Sequence, residues 1–288
     1  MDVVMGLLAA VLWGGTDFLV GINARTVGVK PAVFFGQASG FTIMSLLLVI
    51  FPAFIIKALS APLTVWGMGI VAAAFTVSGA LALSKAFALG KAAIIAPLVT
   101  SYGVITTLLS WVSGEQITMM QFMWIGLCVI GVMLSSIHRG SDLPHSVDTS
   151  KSVGYALLAA VLYGSSFWLQ GKFTLPLLGP IPMLWLGYSV GSTVLLLIVL
   201  RVREGIKIPS PKNCIALIGT SLMNLGGFSA FSWGTTVGSV SVVTVISTLS
   251  GGIAAILGFF FFKERLSITQ VLGVILVLVG AVLLHLKA

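Results

Sequence analysis

Long apolar stretches, separated by short polar segments, run through almost the whole chain. A helix needs about twenty apolar residues to cross the roughly 30 Å hydrocarbon layer of a bilayer. At that length the pattern predicts ten membrane-spanning helices, and so an all-α integral membrane protein. The predicted spans are residues 3–22, 32–56, 63–84, 92–112, 117–137, 153–172, 181–200, 213–232, 239–262 and 267–286.

The composition agrees with a membrane protein and argues against other classes. Hydrophobic residues make up 58% of the chain and charged residues 8%, whereas soluble domains carry about 25% charged residues. The net charge of +8 is spread over short loops, which indicates orientation in the bilayer rather than nucleic-acid binding. Cys128 and Cys214 lack metal-ligand spacing. We therefore expect no cofactor and no metal, and without a Ser-His dyad or phosphate-binding loop we expect no enzyme.

An internal repeat divides the chain into two halves. The segment LLAAVLWG at residues 7–14 matches LLAAVLYG at residues 157–164, and further matches follow in order at an offset of 148 to 151 residues. Glycines one span later also match in position: Gly36 and Gly40 in one half, Gly187 and Gly191 in the other. We define a first half (residues 1–138), a linker (139–151) and a second half (152–288) within one membrane domain.

Charge in the loops predicts that the second half is inverted relative to the first. Each half has five predicted spans, and an odd number makes the second half enter the membrane in the opposite orientation. Of the 15 lysines and arginines, all but Lys57, Lys172 and Lys287 then fall on one side. The positive-inside rule places that side, with the linker, in the cytoplasm and both termini outside.

Local motifs add a family resemblance over nearly the whole chain. They are Leu-Trp-Gly in the first span (12–14), Leu-Tyr-Gly in the sixth (162–164), Pro97 in the fourth, Gly114-Glu115 after it, and Lys263-Glu264-Arg265 after the ninth. In this order, on two inverted halves, they resemble the drug/metabolite transporter superfamily, specifically its EamA-like branch. The resemblance implies a secondary transporter in a bacterial inner membrane that moves small metabolites, such as amino acids, choline, sugars or toxic cations, by alternating access.

The chain departs from that family pattern in two ways. Many relatives carry an arginine in the second helix, where this chain has Gln37 and, in the other half, Tyr188. The resemblance also implies cytoplasmic termini, which is opposite to the orientation that the loop charges predict.

Asp17 is the leading candidate for a functional residue. It lies about four residues past the middle of the first span, roughly 6 Å from the bilayer centre at about 1.5 Å per residue. An ionised carboxylate at that depth needs a cation, a proton or a basic partner. Trp13 lies one turn earlier on the same face. We predict a substrate- or proton-binding site here; a buried ion pair with Lys85, or a protonated Asp17 bonded to a hydroxyl, is the structural alternative.

Further polar side chains within spans extend the predicted site. They are Gln37, Tyr102, Tyr163 and Asn224, and each needs a partner other than water, so each either lines a cavity or bonds a neighbouring helix. Thr100 and Ser101, just after Pro97, predict an irregular helix whose freed carbonyls face that cavity. Glu115 and Glu264, at span ends, are predicted to stabilise helix ends or to gate.

Two classes of function are compatible with these residues. The first is transport of a small metabolite, cationic or zwitterionic, with a coupling proton as a further candidate ligand of Asp17. The second is a non-transporting partner in membrane assembly, or a flippase for a lipid-linked carrier. A transporter is expected to bring its polar residues to one enclosed cavity, whereas an assembly partner would leave them dispersed along packed helices.

Overall fold

The computed structural model describes residues 1–114, 116, 118–136, 149–202, 210–238, 240–262 and 267–285, and every regular element in them is a helix. In the first half these are α1 (Asp2–Thr26), α2 (Val29–Ile50), α3 (Ala53–Leu59), α4 (Leu63–Leu89), α5 (Ala92–Val99), α6 (Tyr102–Val112) and α7 (Met119–Ser136). In the second half they are α8 (Thr149–Leu169), α9 (Leu175–Leu178), α10 (Pro180–Val202), α11 (Pro211–Val237), α12 (Val240–Ser247), α13 (Ser250–Phe262) and α14 (Ile268–His285). A π-helical turn, Gln170–Thr174, joins α8 to α9.

Seven stretches of the described chain are long and apolar enough to cross a membrane. They correspond to seven of the predicted spans, and Ser250–Phe262 is a shorter apolar helix. The predicted spans 117–137, 239–262 and 267–286 stay predictions as membrane crossings. Glu115, Glu264 and most of the linker lie outside the described residues, so their predicted roles also stay predictions.

Several predicted spans differ from the observed helices. α1, α4 and α11 each continue beyond the predicted ends at residues 22, 84 and 232. The predicted span 32–56 is two helices, because the ring of Pro52 disfavours helical geometry at the residue before it. Phe51 accordingly adopts φ −123° and ψ 71°, and α2 ends there.

Both halves interrupt their fourth span near its middle. In the first half the break lies between α5 and α6, just after Pro97. The helix is irregular there, as predicted, and the hydroxyls of Thr100 and Ser101 donate to the carbonyls of Pro97 and Leu98, each at 2.7 Å. That freed carbonyls face the cavity stays a prediction. A matching break between α12 and α13 occurs without a proline, in what we predicted as one continuous span.

Small and polar side chains face the helix interfaces, and large aliphatic side chains face outward. On α1 the buried positions include Gly6, Ala10 and Gly14, whereas Leu7 and Val11 are exposed. Without a hydrophobic driving force in lipid, membrane helices associate through close packing of small residues. This distribution therefore fits a helix bundle surrounded by lipid.

The first helices of the two halves run in opposite directions. α1 is parallel to α4, because Arg25 near the end of α1 donates to the carbonyl of Gly90, which follows α4, at 2.8 Å. α8 is antiparallel to α4: Ser152 near its start packs against Gly90, and Ser166 further along donates to the carbonyl of Ala72 at 2.7 Å. α1 and α8 are therefore antiparallel, the relationship expected of an inverted repeat.

Candidate functional site

A cavity lies between the two halves, and all the sequence-predicted site residues line it. They are Trp13, Asp17, Gln37, Tyr102, Tyr163 and Asn224. The cavity holds about 90 Å³ of space for the centres of water-sized spheres. One water needs about 10–15 Å³ on that scale, so the cavity has room for several waters or for a small polar molecule.

The cavity extends from the middle of the bundle toward one end. Trp13 and Phe167 lie at its central part, whereas Asn23, Ala32 and Thr220 line it near the end of α1 and the starts of α2 and α11. Arg25 in the last turn of α1 and Lys30 in the first turn of α2 lie at this end of the bundle. The cavity therefore extends toward the side that carries the basic loops.

Asp17 supplies the negative charge of the cavity. Its side chain is 7% exposed, and within the described residues it makes no hydrogen bond and no ion pair. Lys85 is exposed on α4 and does not pair with it. Among the residues that the structure describes, no lysine, arginine or histidine lines the cavity, while Tyr102 and Tyr163 line it together with Asp17. The site therefore favours a positive charge.

Trp13 is held in place by aromatic packing at the centre of the bundle. Its indole stacks on Phe167 at a centroid distance of 5.4 Å and meets Phe228 edge-on at 5.1 Å. Phe231 lies 5.6 Å away. Such contacts stabilise beyond the area they bury, by about 0.5–1.5 kcal/mol each. Trp13 therefore both lines the cavity and belongs to the packed core between the halves.

The two tyrosines differ in how their hydroxyls are bound. The Tyr102 hydroxyl is 2.9 Å from the Ser247 hydroxyl, a hydrogen bond that links the two broken spans. Tyr163 is half-buried and stacks on Phe167 at 6.0 Å. Its hydroxyl makes no hydrogen bond to any residue that the structure describes. Tyr102 therefore serves helix packing as well as the cavity, and Tyr163 presents a free hydroxyl.

Two amide side chains line the cavity from different helices. Gln37 on α2 is buried and packs over Gly191 of α10. Asn224 on α11 is half-buried. Neither side chain bonds another residue in the described part of the chain. Both are therefore available to bind a ligand.

Sequence reasoning missed several polar residues of the cavity, namely Thr16, Asn23, Ser84, Thr220 and Ser250. Asn23 is fully buried, and its Nδ2 donates to the Thr220 hydroxyl at 2.8 Å. Its Oδ1 is buried with no partner among the described residues. Asn23 was missed because the predicted first span ended at residue 22. Asn23 lies seven residues after Thr16, two helical turns along the same face of α1, and that spacing could have revealed it.

Comparison with known proteins identifies the family. Residues 1–137 and 150–286 each match the EamA-like transporter family. The chain belongs to that family. It is therefore a multi-pass membrane protein of the drug/metabolite transporter group, built from two copies of the family's unit, and family members are transporters of small solutes rather than enzymes.

The chain is also similar to two other known proteins. An uncharacterised protein of Methanocaldococcus jannaschii is 26% identical over 144 residues, which are 49% of this chain and 99% of that protein. A solved crystal structure aligns with a TM-score of 0.70 at 16% identity, covering 98% of this chain and 95% of the other. The structural likeness shows that the fold is shared.

Proposed function

We propose that this protein is a secondary transporter that moves a small cationic or zwitterionic metabolite across the membrane by alternating access, with Asp17 as the main binding group. The observation that carries the proposal is the carboxyl of Asp17, which has no partner in the described part of the chain, on the wall of a cavity where no described residue is basic. A buried charge without a partner is costly in a membrane protein. A positively charged group of the solute would supply the missing partner.

The surroundings of Asp17 support this ligand class. Trp13, Tyr102 and Tyr163 offer aromatic rings around the same cavity, and an ammonium group gains about 0.5–2 kcal/mol over an aromatic face. Gln37 and Asn224 supply neutral hydrogen-bonding groups for the rest of the solute. Hydrogen bonds to a charged group contribute about 1.5–3 kcal/mol, which is about 10- to 150-fold in affinity.

A proton is the second candidate ligand of Asp17. The two tyrosines on the same cavity wall, and the lack of a basic side chain among its described lining residues, support it, because a protonated carboxyl is neutral and can donate a hydrogen bond to a hydroxyl. In that case the metabolite would bind at the amides and aromatic rings, and Asp17 would couple its movement to a proton gradient.

The arrangement of the chain supports alternating access. We propose ten spans in two inverted halves, residues 1–138 and 152–288 around the linker, because α1 and α8 run in opposite directions and the basic loops change sides between the halves. By the positive-inside rule the linker lies in the cytoplasm of an inner membrane and both termini lie outside. The cavity then faces the cytoplasm in this conformation.

Convergence of the polar residues favours transport over the other class of function. Side chains from α1, α2, α8 and α11 meet in one cavity, whereas a partner in membrane assembly needs no such meeting point. A flippase for a lipid-linked carrier would share the cavity but would need a ligand far larger than the space beside Asp17.

A ligand screen on the purified protein tests the proposal. Amines, quaternary ammonium compounds and zwitterionic amino acids are added one at a time, and the melting temperature is measured, because a ligand of the native state raises it. Compounds that raise it should do so far less in Asp17→Asn. Asp2→Asn is the matched control, since Asp2 lies at the N-terminus beside the terminal amino group. A ligand that stabilises wild type, Asp2→Asn and Asp17→Asn equally would refute the role of Asp17.

A further inference from the structure

A second, smaller cavity lies beside the first, toward the opposite end of the bundle. It is lined by Gln37, Thr76, Gln170, Gly187, Tyr188 and Phe228, with Ala73, Met183 and Leu184 completing the wall. It has about 30 Å³ of space for the centres of water-sized spheres, enough for two or three waters at about 10–15 Å³ each. The second cavity lies near the end of α8 and the start of α10, whereas the first extends toward the end of α1 and the start of α2. Because α1 and α8 are antiparallel, these are opposite ends of the bundle.

The internal repeat relates the two cavities to each other. Gly187 and Tyr188 of the second cavity match Gly36 and Gln37 of the first at an offset of 151 residues. Thr76 in the second cavity matches Asn224 in the first at an offset of 148. The second cavity is thus the inverted counterpart of the first, with a third of its free space.

One unsatisfied polar group indicates that this small cavity takes a polar ligand. Tyr188 is 4% exposed, and its buried hydroxyl has no partner among the described residues. Gln170 donates to the Ser166 hydroxyl at 2.9 Å, and Ser166 is 2.7 Å from the Thr76 hydroxyl. That chain of bonds holds the Gln170 amide at the cavity wall. A buried hydroxyl without a partner is unfavourable by about 1–3 kcal/mol, so a solute or water at this position would stabilise it.

Gln37 and Phe228 separate the two cavities, because these two side chains line both of them. Gln37 packs over Gly191 of α10, and Tyr188 packs over Gly40 of α2. The two side chains therefore cross at the contact between α2 and α10, each resting on a glycine of the other helix. A solute that passes from one cavity to the other must pass the amide of Gln37.

We propose that the second cavity is a further solute-binding position, open to the opposite face of the membrane, at which the Tyr188 hydroxyl and the Gln37 amide bind the solute before release. The proposal rests on the transport function proposed above. None of the described residues that line this cavity is charged, so it recognises the hydrogen-bonding part of the solute rather than its charge. A solute leaving Asp17 for this neutral position is held less tightly, which favours its release.

Single cysteines at Gly36 and Gly187 test the proposal. A Cβ added at either glycine meets nothing within 4 Å, so both substitutions fit, and the repeat makes them a matched pair. In a Cys128→Ala/Cys214→Ala background reconstituted in sealed proteoliposomes, each cysteine is exposed to a membrane-impermeant cationic methanethiosulfonate from one face at a time. Gly36→Cys should react from one face and Gly187→Cys from the other, more slowly because its cavity has only a third of the free space of the first.

Reaction of both cysteines from the same face, or no reaction of Gly187→Cys from either face, would overturn the proposal. Thr76→Cys, also on the wall of the second cavity, should react from the same face as Gly187→Cys. This second position controls for a change in structure caused by the Gly187→Cys substitution itself. An anionic methanethiosulfonate provides the separate test of Asp17. The measured quantity is the rate ratio of the cationic to the anionic reagent divided by the same ratio for a free thiol in solution, because the thiolate itself favours the cationic reagent. At Gly36→Cys this normalised ratio should exceed one, and Asp17→Asn should bring it back toward one; at Gly187→Cys it should be near one in both backgrounds.

The charge preference at Gly36→Cys and the sidedness of Gly187→Cys test the two proposals separately. A charge preference at Gly36→Cys that does not depend on Asp17 contradicts the proposed function and leaves the sidedness of Gly187→Cys as an independent result. Conversely, a preference that depends on Asp17 together with an unreactive Gly187→Cys upholds the first cavity and refutes the second binding position.

Discussion

Substituting alanine for Gly40 should destabilise the protein, and the structure sets the expected size of the effect. A Cβ at Gly40 would overlap the ring of Tyr188, lying 2.7 Å from its Cγ and closer still to two other ring carbons. At Gly36, one turn earlier on α2, a Cβ meets nothing within 4 Å. Both changes remove a helical glycine, which by itself favours folding by about 0.5–1 kcal/mol.

Because the gain from removing a helical glycine is common to both variants, the difference between their stabilities measures the overlap of the added Cβ with the Tyr188 ring. Overpacking costs about 1–3 kcal/mol, and the rigid Tyr188 ring is buried and cannot move aside easily. Thermal melting of the detergent-purified variants, followed by tryptophan fluorescence, should place Gly40→Ala below Gly36→Ala by about 2–4 °C per kcal/mol. Equal melting temperatures would refute the close crossing of α2 and α10.

The matching pair on α10 should respond differently. A Cβ at Gly191 would overlap the amide of Gln37, which is the end of a flexible side chain and can move, and would lie 2.8 Å from a single methyl carbon of Val77, whereas at Gly40 it overlaps three ring carbons. Gly191→Ala should therefore lose less stability than Gly40→Ala, while Gly187→Ala, with open space around its Cβ, should behave like Gly36→Ala. A loss at Gly191→Ala as large as that at Gly40→Ala would contradict this reading of the crossing.

Two further predictions use the same melting assay. Tyr102→Phe should lower the free energy of unfolding by about 1 kcal/mol, because it removes the 2.9 Å bond to Ser247. Tyr188→Phe should cause no loss, since its hydroxyl has no partner in the described part of the chain. If Tyr188→Phe were the less stable variant, the hydrogen bond of Tyr102 and the unpartnered hydroxyl of Tyr188 would both be contradicted. Arg25→Met should lower the free energy of unfolding by about 1.5–3 kcal/mol, because the guanidinium donates to the carbonyl of Gly90 at the end of α4 at 2.8 Å. Arg25→Lys should recover part of that loss. An Arg25→Met variant as stable as wild type would mean that the bond does not contribute to stability.

Features encoded in local sequence were largely predictable. The repeat of LLAAVLWG as LLAAVLYG indicated two copies of one unit, in agreement with the two matches to the EamA-like transporter family. Asp17 stood out because a single acid in an apolar span needs a partner wherever the helix lies. Hydropathy also located seven stretches that the structure describes as long enough to span.

Features that depend on contacts between distant helices were not predictable. The break between α12 and α13 contains no proline, so the local sequence did not indicate it. The Ser247 side chain at this break bonds Tyr102 of the other half. The pairing of Gln37 with Gly191 across α2 and α10 likewise needs both helices in place. Asn23 was missed for a simpler reason, since hydropathy falls before α1 actually ends at Thr26.

The most direct test of the central claim measures solute binding at Asp17 inside the cavity. In Gly36→Cys protein lacking Cys128 and Cys214, a compound identified by the melting screen should protect the cysteine from the cationic thiol reagent, because Gly36 and Asp17 line the same cavity. The account predicts that Asp17→Asn raises the concentration needed for half-protection by about 10- to 150-fold, the loss of about 1.5–3 kcal/mol from a charged partner. Half-protection at the same concentration with Asp17 and with Asp17→Asn would contradict it.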